Sequence, residues 1–128
     1  MKAKELSGIR HHLAKTQSEL ARLLGVSSKA IQSFEQGWRK IPAHVERQVY
    51  FLLAMSRLRD GTGIPTCWEV RKCAKETRDR CPAWEFQCGH LCWFINGTLC
   101  SGVVETSWEK KMRICRKCDI FRSITLSR

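Results

Sequence analysis

Apolar residues in the first half of the chain recur every three or four positions, which is the spacing that places them on one face of a helix. They form separate stripes before residue 60. The stripes are Leu6, Ile9 and Leu13; Leu20, Ala21 and Leu24; Ala30, Ile31 and Phe34; and Val45, Val49, Leu52 and Leu53. This pattern predicts a mainly α fold in which the helices share one apolar core, and the last helix runs from about Pro42 to about Arg59.

Local signals mark the ends of the second and third helices. Thr16 and Glu19 have the spacing of a capping box, in which each side chain accepts a hydrogen bond from the other residue's backbone N–H. Gly25 can end that helix in a left-handed conformation, and the side-chain oxygen of Ser27 can cap the next one. These signals predict a helix, a tight turn and a second helix that starts just after Ser27.

The helical periodicity ends near residue 59, and a different composition follows. Residues 54–63 lose the apolar stripe and close on Gly61 and Gly63, and all eight cysteines lie between Cys67 and Cys118. A short segment of this kind usually needs disulfides or a metal in addition to its apolar core. We therefore expect two domains, residues 1–62 and residues 63–128, of which the second is small, irregular and rich in cysteine.

The chain has a formal net charge of +11, and both halves carry an excess of lysine and arginine. Such a surplus suits a polyanion such as DNA, although RNA, an anionic membrane surface or a merely soluble surface would also account for it. No apolar run approaches the roughly 20 residues of a membrane span, and the first residues lack the apolar stretch of a secretory leader. We therefore expect a cytoplasmic protein that does not bind membranes.

The stretch TQSELARLLGVSSKAIQSFEQG, residues 16–37, resembles the helix-turn-helix of the Xre/Cro family of phage-repressor-like DNA-binding domains. The shared features are T-Q-x-x-L-A, then G-V-S, then I-x-x-x-E-x-G, followed by R-x-x-P. The resemblance covers about residues 5–59 and implies a bundle of four to five helices whose recognition helix, from Ser28 to about Gln36, lies in the major groove. It also implies binding to double-stranded DNA, usually as a homodimer, and a structural pair between Arg10 and Glu35.

The resemblance assigns DNA contacts position by position. The candidate base-contacting residues are Ser28, Lys29, Gln32 and Ser33. Glutamine can pair with adenine through two hydrogen bonds, lysine can donate to guanine, and serine tolerates either base. Gln17, Arg39 and Lys40 are the candidate phosphate contacts, which position the protein without reading sequence. Trp38 is expected to pack against the last helix.

The cysteines of the second half are expected to hold a metal rather than to form disulfides, because thiols are kept reduced in the cytoplasm. Cys115 and Cys118 have the C-x-x-C spacing of a tetrahedral metal site. The pair Cys-Trp occurs twice, at 67–68 and at 92–93, and a tryptophan beside a ligand cysteine would shield the sulfur from water. Cys88 lies outside this pattern and is expected to be a buried small hydrophobe or an uncommitted thiol.

Residues 66–122 also resemble two-CW domains, small cysteine domains that are appended to regulators and sensor proteins of anaerobic bacteria and archaea. The matching motifs are C-W-E at 67–69, C-P at 81–82, C-W at 92–93, G-T-L-C at 97–100, E-K-K at 109–111 and C-R-K-C-D-I-F at 115–121, together with the cysteine at position 73. The resemblance implies a role in sensing redox state or a related small signal, and its pattern leaves Cys88 out. The candidate metal ligands are Cys67, Cys73, Cys81, Cys92, Cys100, Cys115 and Cys118.

Three kinds of cysteine chemistry stay open. An iron–sulfur cluster of the 4Fe–4S type is favoured, because it takes four thiolates and would give the spare thiols and the tryptophans a redox purpose. Zinc would also need four thiolates, since only His90 among the histidines lies near the cysteines. The third possibility is disulfide formation or thiol switching without a metal.

The favoured function is a sequence-specific transcriptional regulator whose cysteine-rich domain holds an iron–sulfur cluster and senses redox state or cluster integrity. The alternative is a regulator with a zinc-stapled dimerisation or partner-docking domain and no redox sensing. An enzyme with a small-molecule substrate is not expected. A thiol oxidoreductase that used Cys115 and Cys118 would need a strand–helix context that the surrounding pattern lacks.

Overall fold

A computed structural model describes residues 1–59, 66–94 and 107–125 of the chain. The described residues are mainly helical, which confirms the predicted fold class at that level. The helices, numbered in chain order, are α1 (Ala3–His12), α2 (Gln17–Leu24), α3 (Ser28–Glu35), α4 (Ala43–Arg59), α5 (Cys67–Arg71), α6 (Lys75–Asp79), α7 (Pro82–Glu85), α8 (Trp108–Cys115) and α9 (Asp119–Thr125), with a 3-10 turn at Cys92–Phe94.

The chain divides into two compact units, Met1–Ser56 and Arg57–Arg128. The division falls inside the last turns of α4. The domain boundary that the sequence predicts, between residues 62 and 63, lies outside the described residues and stays a prediction.

The first unit is built from the predicted apolar stripes. Helices α1 and α2 both pack against α3. The largest fully buried side chains of this unit are Leu6, Leu20, Ile31, Val45, Val49, Tyr50 and Leu53. The predicted core face of α4 is wrong at Leu52, which is half-buried, whereas Tyr50 is buried. Tyr50 can enter the core because its hydroxyl donates a hydrogen bond to a Glu5 carboxylate oxygen at 2.8 Å.

The predicted caps of the helix-turn-helix are confirmed. The Glu19 backbone N–H donates to Thr16 Oγ1 at 3.0 Å, and the Thr16 backbone N–H donates to Glu19 Oε1 at 3.0 Å. Gly25 ends α2 with a φ of +69°, and the Ala30 backbone N–H donates to Ser27 Oγ at 3.1 Å. Because each cap satisfies a backbone group that the helix end leaves unpaired, the tight turn between α2 and α3 is set by local sequence.

The second unit consists of short helices that depend on one another for burial. Helix α5 packs against α9, α6 packs against α7, and α8 packs against the 3-10 turn. Helices of four to eight residues are unstable alone in water, so their apolar contacts must hold them in place. The buried apolar side chains here, besides cysteines, are Ala83, Trp93, Met112, Ile120 and Phe121.

Among the described residues, no helix combines the length and the apolar character that a bilayer crossing requires.

Candidate nucleic-acid interface and thiol sites

Helix α3 has one buried face and one accessible face. Its apolar residues Ala30, Ile31 and Phe34 are buried in the first unit. The predicted base-contacting residues remain accessible: Ser28, Lys29 and Gln32 are exposed and Ser33 is half-buried. The accessible face therefore offers an ammonium group, an amide and hydroxyl groups, which are donors and acceptors of the kind that read base edges.

An ion pair fixes the end of α3 against α1, as the sequence predicts. Arg10 Nε donates to Glu35 Oε2 at 2.7 Å, and Arg10 Nη2 donates to Glu35 Oε1 at 3.0 Å. Arg10 Nη1 also donates to the backbone carbonyl of Lys15 at 3.0 Å. This fork-like geometry restrains direction as well as distance, so the pair orients α3 relative to α1.

The environment of Glu35 favours its charged form. Burial of the carboxyl opposes ionisation, but hydrogen bonds from Arg10 and Gln17, together with the positive charge of Arg10 and His11, hold the pKa of Glu35 below its ordinary value. The hydrogen bond to Glu35 likewise raises the pKa of Arg10. Both groups are therefore charged at neutral pH.

Gln17 lies at the first position of α2, where the resemblance places a phosphate contact. Its Nε2 donates to Glu35 Oε1 at 3.3 Å, so part of its hydrogen-bonding capacity is used inside the protein. The amide nitrogen carries two hydrogens, and the second remains chemically suited to a phosphate oxygen. The structure thus links the candidate phosphate contact to the same carboxylate that anchors α3.

The loop after α3 is fixed by a C-terminal capping motif. Gly37 has a φ of +78°, and its N–H donates to the Phe34 carbonyl at 3.2 Å, while the Trp38 N–H donates to the Ser33 carbonyl at 2.9 Å. Arg39 and Lys40 are both exposed, and the Arg39 guanidinium lies 5.2 Å from the centre of the Phe34 ring. Two cations therefore follow α3 directly after its capping motif.

Trp38 corrects one expectation. The sequence analysis placed it against the last helix, but its side chain is 72% exposed. In this capping motif the residue that holds the position of Trp38 commonly packs on the side chain three residues before the cap. That position is occupied here by Ser33, which offers no apolar surface.

The described candidate ligands differ in burial and lie at different helix ends. Cys67 begins α5, Cys92 begins the 3-10 turn, Cys115 ends α8 and Cys118 precedes α9, and all four are buried. The half-buried candidates are Cys73, after α5, and Cys81, before α7. Cys100, another predicted ligand, lies outside the described residues.

Cys88, which the sequence pattern leaves out, lies near enough to two of the candidate ligands to be affected by their charge. The Cys67 backbone N–H donates to the Gly89 carbonyl at 3.0 Å, and this joins the start of α5 to the segment beside Cys88. Burial and then the nearby thiols of Cys67 and Cys81 raise the pKa of Cys88. No spacing rule predicts this proximity, because the chain between Cys67 and Cys88 must fold back on itself.

Gly89 permits the start of α5 to lie close to the segment beside Cys88. A Cβ at this position would lie 2.8 Å from the Cβ of Thr66 and 2.8 Å from Cζ3 of Trp68. Trp68 in turn meets Trp84 edge to face with ring centres 4.8 Å apart, and the Arg78 guanidinium lies 4.1 Å from the Trp84 ring centre. The first Cys-Trp pair is therefore part of a packed group that also brings in Cys88.

The second Cys-Trp pair lies in a different aromatic group. Trp93 is fully buried, its indole N–H donates to the His90 carbonyl at 3.1 Å, and its ring meets Trp108 and Phe121. Cys115 and Cys118 flank a turn in which the Cys118 N–H donates to the Cys115 carbonyl at 2.9 Å. Trp93 thus belongs to the core of this unit, and the half-buried Trp108 packs beside it.

The thiols are the candidate ligands of the metal that the sequence predicts. In donor type and burial they suit a soft metal or an iron–sulfur cluster, both of which bind thiolates. Within the part of the chain that the structure describes, however, no three His, Cys, Asp or Glu side chains are grouped so that they could hold a metal ion. The structure therefore assigns no set of ligands.

Comparisons of the chain with protein-family models, with curated proteins and with solved structures gave no match.

Proposed function

We propose that this protein is a sequence-specific regulator that binds double-stranded DNA through its first unit. The observation that carries the proposal is the arrangement of α3, which is capped at both ends, tied to α1 through Arg10 and Glu35, and presents Ser28, Lys29 and Gln32 at the surface. A helix that enters the major groove needs this combination of fixed orientation and accessible donors and acceptors.

Some side chains would position the protein on the DNA backbone, and others would read the base sequence. Arg39 and Lys40 would neutralise phosphates and supply affinity for any sequence, in keeping with the net charge of +11. Lys29 and Gln32 would discriminate between bases. A homodimer would place two copies of α3 about 34 Å apart, so that they reach successive turns of the major groove on one side of the duplex.

Replacement of Gln32 by alanine tests this assignment. A preferred duplex is first selected from random sequences, and affinities for it and for a scrambled duplex are then measured at one salt concentration. Gln32→Ala should lower the affinity for the preferred duplex by about 1–3 kcal/mol and leave the scrambled duplex almost unaffected.

Gln48→Ala is the matched control, because Gln48 is an exposed glutamine of α4. It should change neither affinity. Equal losses on both duplexes for Gln32→Ala, or equal effects of the two substitutions, would contradict the groove assignment.

For the second unit we propose a thiolate-bound iron–sulfur cluster that makes the unit sensitive to redox state. The supporting observations are the buried thiols Cys67, Cys92, Cys115 and Cys118 and the buried indole of Trp93. When bound, a cluster would supply a reversible one-electron centre. The cysteine side chains would supply the thiolate ligands, and the indole of Trp93 would help to keep water away from them.

A zinc-stapled docking or dimerisation domain is the second candidate. Its support is the small size of the helices in this unit, which would gain stability from a structural metal. Iron, acid-labile sulfide and zinc, measured on protein purified without oxygen, separate the two. The cluster proposal predicts iron and sulfide in equal amounts, and one zinc per chain without sulfide would contradict it.

A further inference from the structure

Trp38 is an aromatic side chain that the fold holds at the surface. It is 72% exposed, although tryptophan is buried to a large extent in most proteins. Its backbone is not loose, because the N–H groups of Trp38 and Arg39 both donate to the Ser33 carbonyl, at 2.9 and 3.3 Å. The indole is therefore exposed at a fixed position and not at a frayed end.

The position of Trp38 is set relative to the recognition helix. Gly37 reverses the chain in a left-handed conformation, and the capping motif places Trp38 beside the last turn of α3. Ser33, whose carbonyl anchors the loop, is itself one of the candidate base contacts. Trp38 thus lies at the C-terminal end of α3, next to Ser33, whereas Ser28 and Lys29 lie at the start of the helix.

The charge around Trp38 indicates what kind of partner would cover it. The next two residues, Arg39 and Lys40, are both exposed cations, and the Arg39 guanidinium is stacked near the Phe34 ring at 5.2 Å. An apolar protein surface would have to desolvate these charges. A DNA strand would instead offer phosphates to the cations and a deoxyribose surface to the indole.

We propose that Trp38 packs on the sugar–phosphate backbone of DNA beside the groove that α3 enters, as an apolar contact between two phosphate-binding cations and the recognition helix. The inference rests on the proposed DNA-binding function and adds a contact that does not read bases. Since the indole carries no charge, it contributes affinity without releasing counterions. The loss of Trp38 should therefore differ from the loss of Arg39 or Gln32.

The test compares Trp38→Ala and Trp38→Phe with the wild-type protein on the preferred and the scrambled duplex over a range of salt concentrations. Trp38→Ala should weaken binding to both duplexes by about tenfold, which is within the range of aromatic contacts to nucleic acid. Trp38→Phe should keep most of the affinity. The slope of log affinity against log salt should stay unchanged for both, whereas Arg39→Ala should flatten it by about one unit.

Met55→Ala provides the matched control, because Met55 is an exposed apolar residue of α4 in the same unit. It should bind as the wild type does. Fluorescence gives a second readout: DNA should change the indole emission of the wild-type protein, and this change should be smaller in Trp38→Phe. Melting temperatures of the variants should match the wild type, because an exposed side chain adds little to the core.

Several results would overturn the inference. One is that Trp38→Ala binds both duplexes as tightly as Met55→Ala does. Another is that Trp38→Ala loses affinity on the preferred duplex alone, since this would indicate base reading. A wild-type protein that binds neither duplex would overturn the proposed function as well. If the wild-type protein binds DNA and Trp38→Ala binds it equally well, this inference alone is overturned.

Discussion

At the scale of single residues, the packing at Gly89 leads to a prediction for the second unit. Alanine at this position would place its Cβ 2.8 Å from Thr66 and from the Trp68 ring, so the two segments would have to separate. Gly89→Ala should destabilise the second unit by about 1–3 kcal/mol. Chemical denaturation followed by tryptophan fluorescence measures this, because four of the five tryptophans lie in that unit, at 68, 84, 93 and 108.

Gly8→Ala is the control for Gly89→Ala. Nothing lies within 4 Å of a Cβ at Gly8, which occupies an interior position of α1. Alanine there should leave the second unit unchanged and stabilise the first by up to about 1 kcal/mol. If Gly89→Ala unfolds at the same denaturant concentration as the wild type, the close approach of Cys67 and Cys88 is not part of the fold.

Trp38 and Cys88 differ in how well their surroundings can be predicted from the sequence. The exposure of Trp38 has a local signal after all, since Gly37 predicts the capping motif and Ser33 then lacks the apolar side chain that would cover the indole. Cys88 has no such signal. Its neighbour Cys67 comes close only through the hydrogen bond to the Gly89 carbonyl and the packing of Trp68, which are tertiary contacts.

At the scale of elements, the Arg10–Glu35 pair makes the attachment of α3 dependent on pH. The pKa of Glu35 is lowered in the folded protein, so folding favours the carboxylate. Its stabilisation should be complete above the ordinary glutamate pKa and should fade as the pH falls through the lowered value. Glu35→Gln should therefore cost on the order of 2 kcal/mol at pH 7 and progressively less toward pH 3.

Thermal unfolding of wild type and Glu35→Gln between pH 3 and pH 7 measures this dependence. Glu76→Gln is a suitable control, because Glu76 is exposed on α6 in the other unit. Its difference from the wild type should be small throughout. A difference between Glu35→Gln and wild type that stays constant with pH would show that the pair contributes through shape and not through charge.

The two halves differ in how much of their helical structure follows from the sequence. In the first unit the caps at Thr16, Gly25 and Ser27 act within a few residues, so α2 and α3 begin close to where the pattern places them. In the second unit, α5 and α7 have five and four residues and no long apolar stripe. Their existence depends on contacts with distant elements, which periodicity does not record.

At the scale of the whole molecule, the proposed function joins a first unit that would bind DNA to a second unit that carries the thiols. Both halves carry excess positive charge, so affinity for DNA without sequence preference is expected even before α3 reads bases. A change in the cysteine-rich unit can alter DNA binding only if it favours one state of the protein that binds DNA better than another. A change in dimerisation would meet that condition.

We propose that the cysteine-rich unit controls DNA binding. A direct test is to measure the affinity of the full chain for its preferred duplex in three states: purified without oxygen, oxidised, and stripped of metal by a chelator. All three are measured at the same salt concentration, with the scrambled duplex as reference. If the cysteine-rich unit controls DNA binding, the first state should differ from the other two by about tenfold or more, which corresponds to a coupling of about 1.4 kcal/mol. Equal affinities in all three states would contradict the claim that the cysteine-rich unit controls DNA binding.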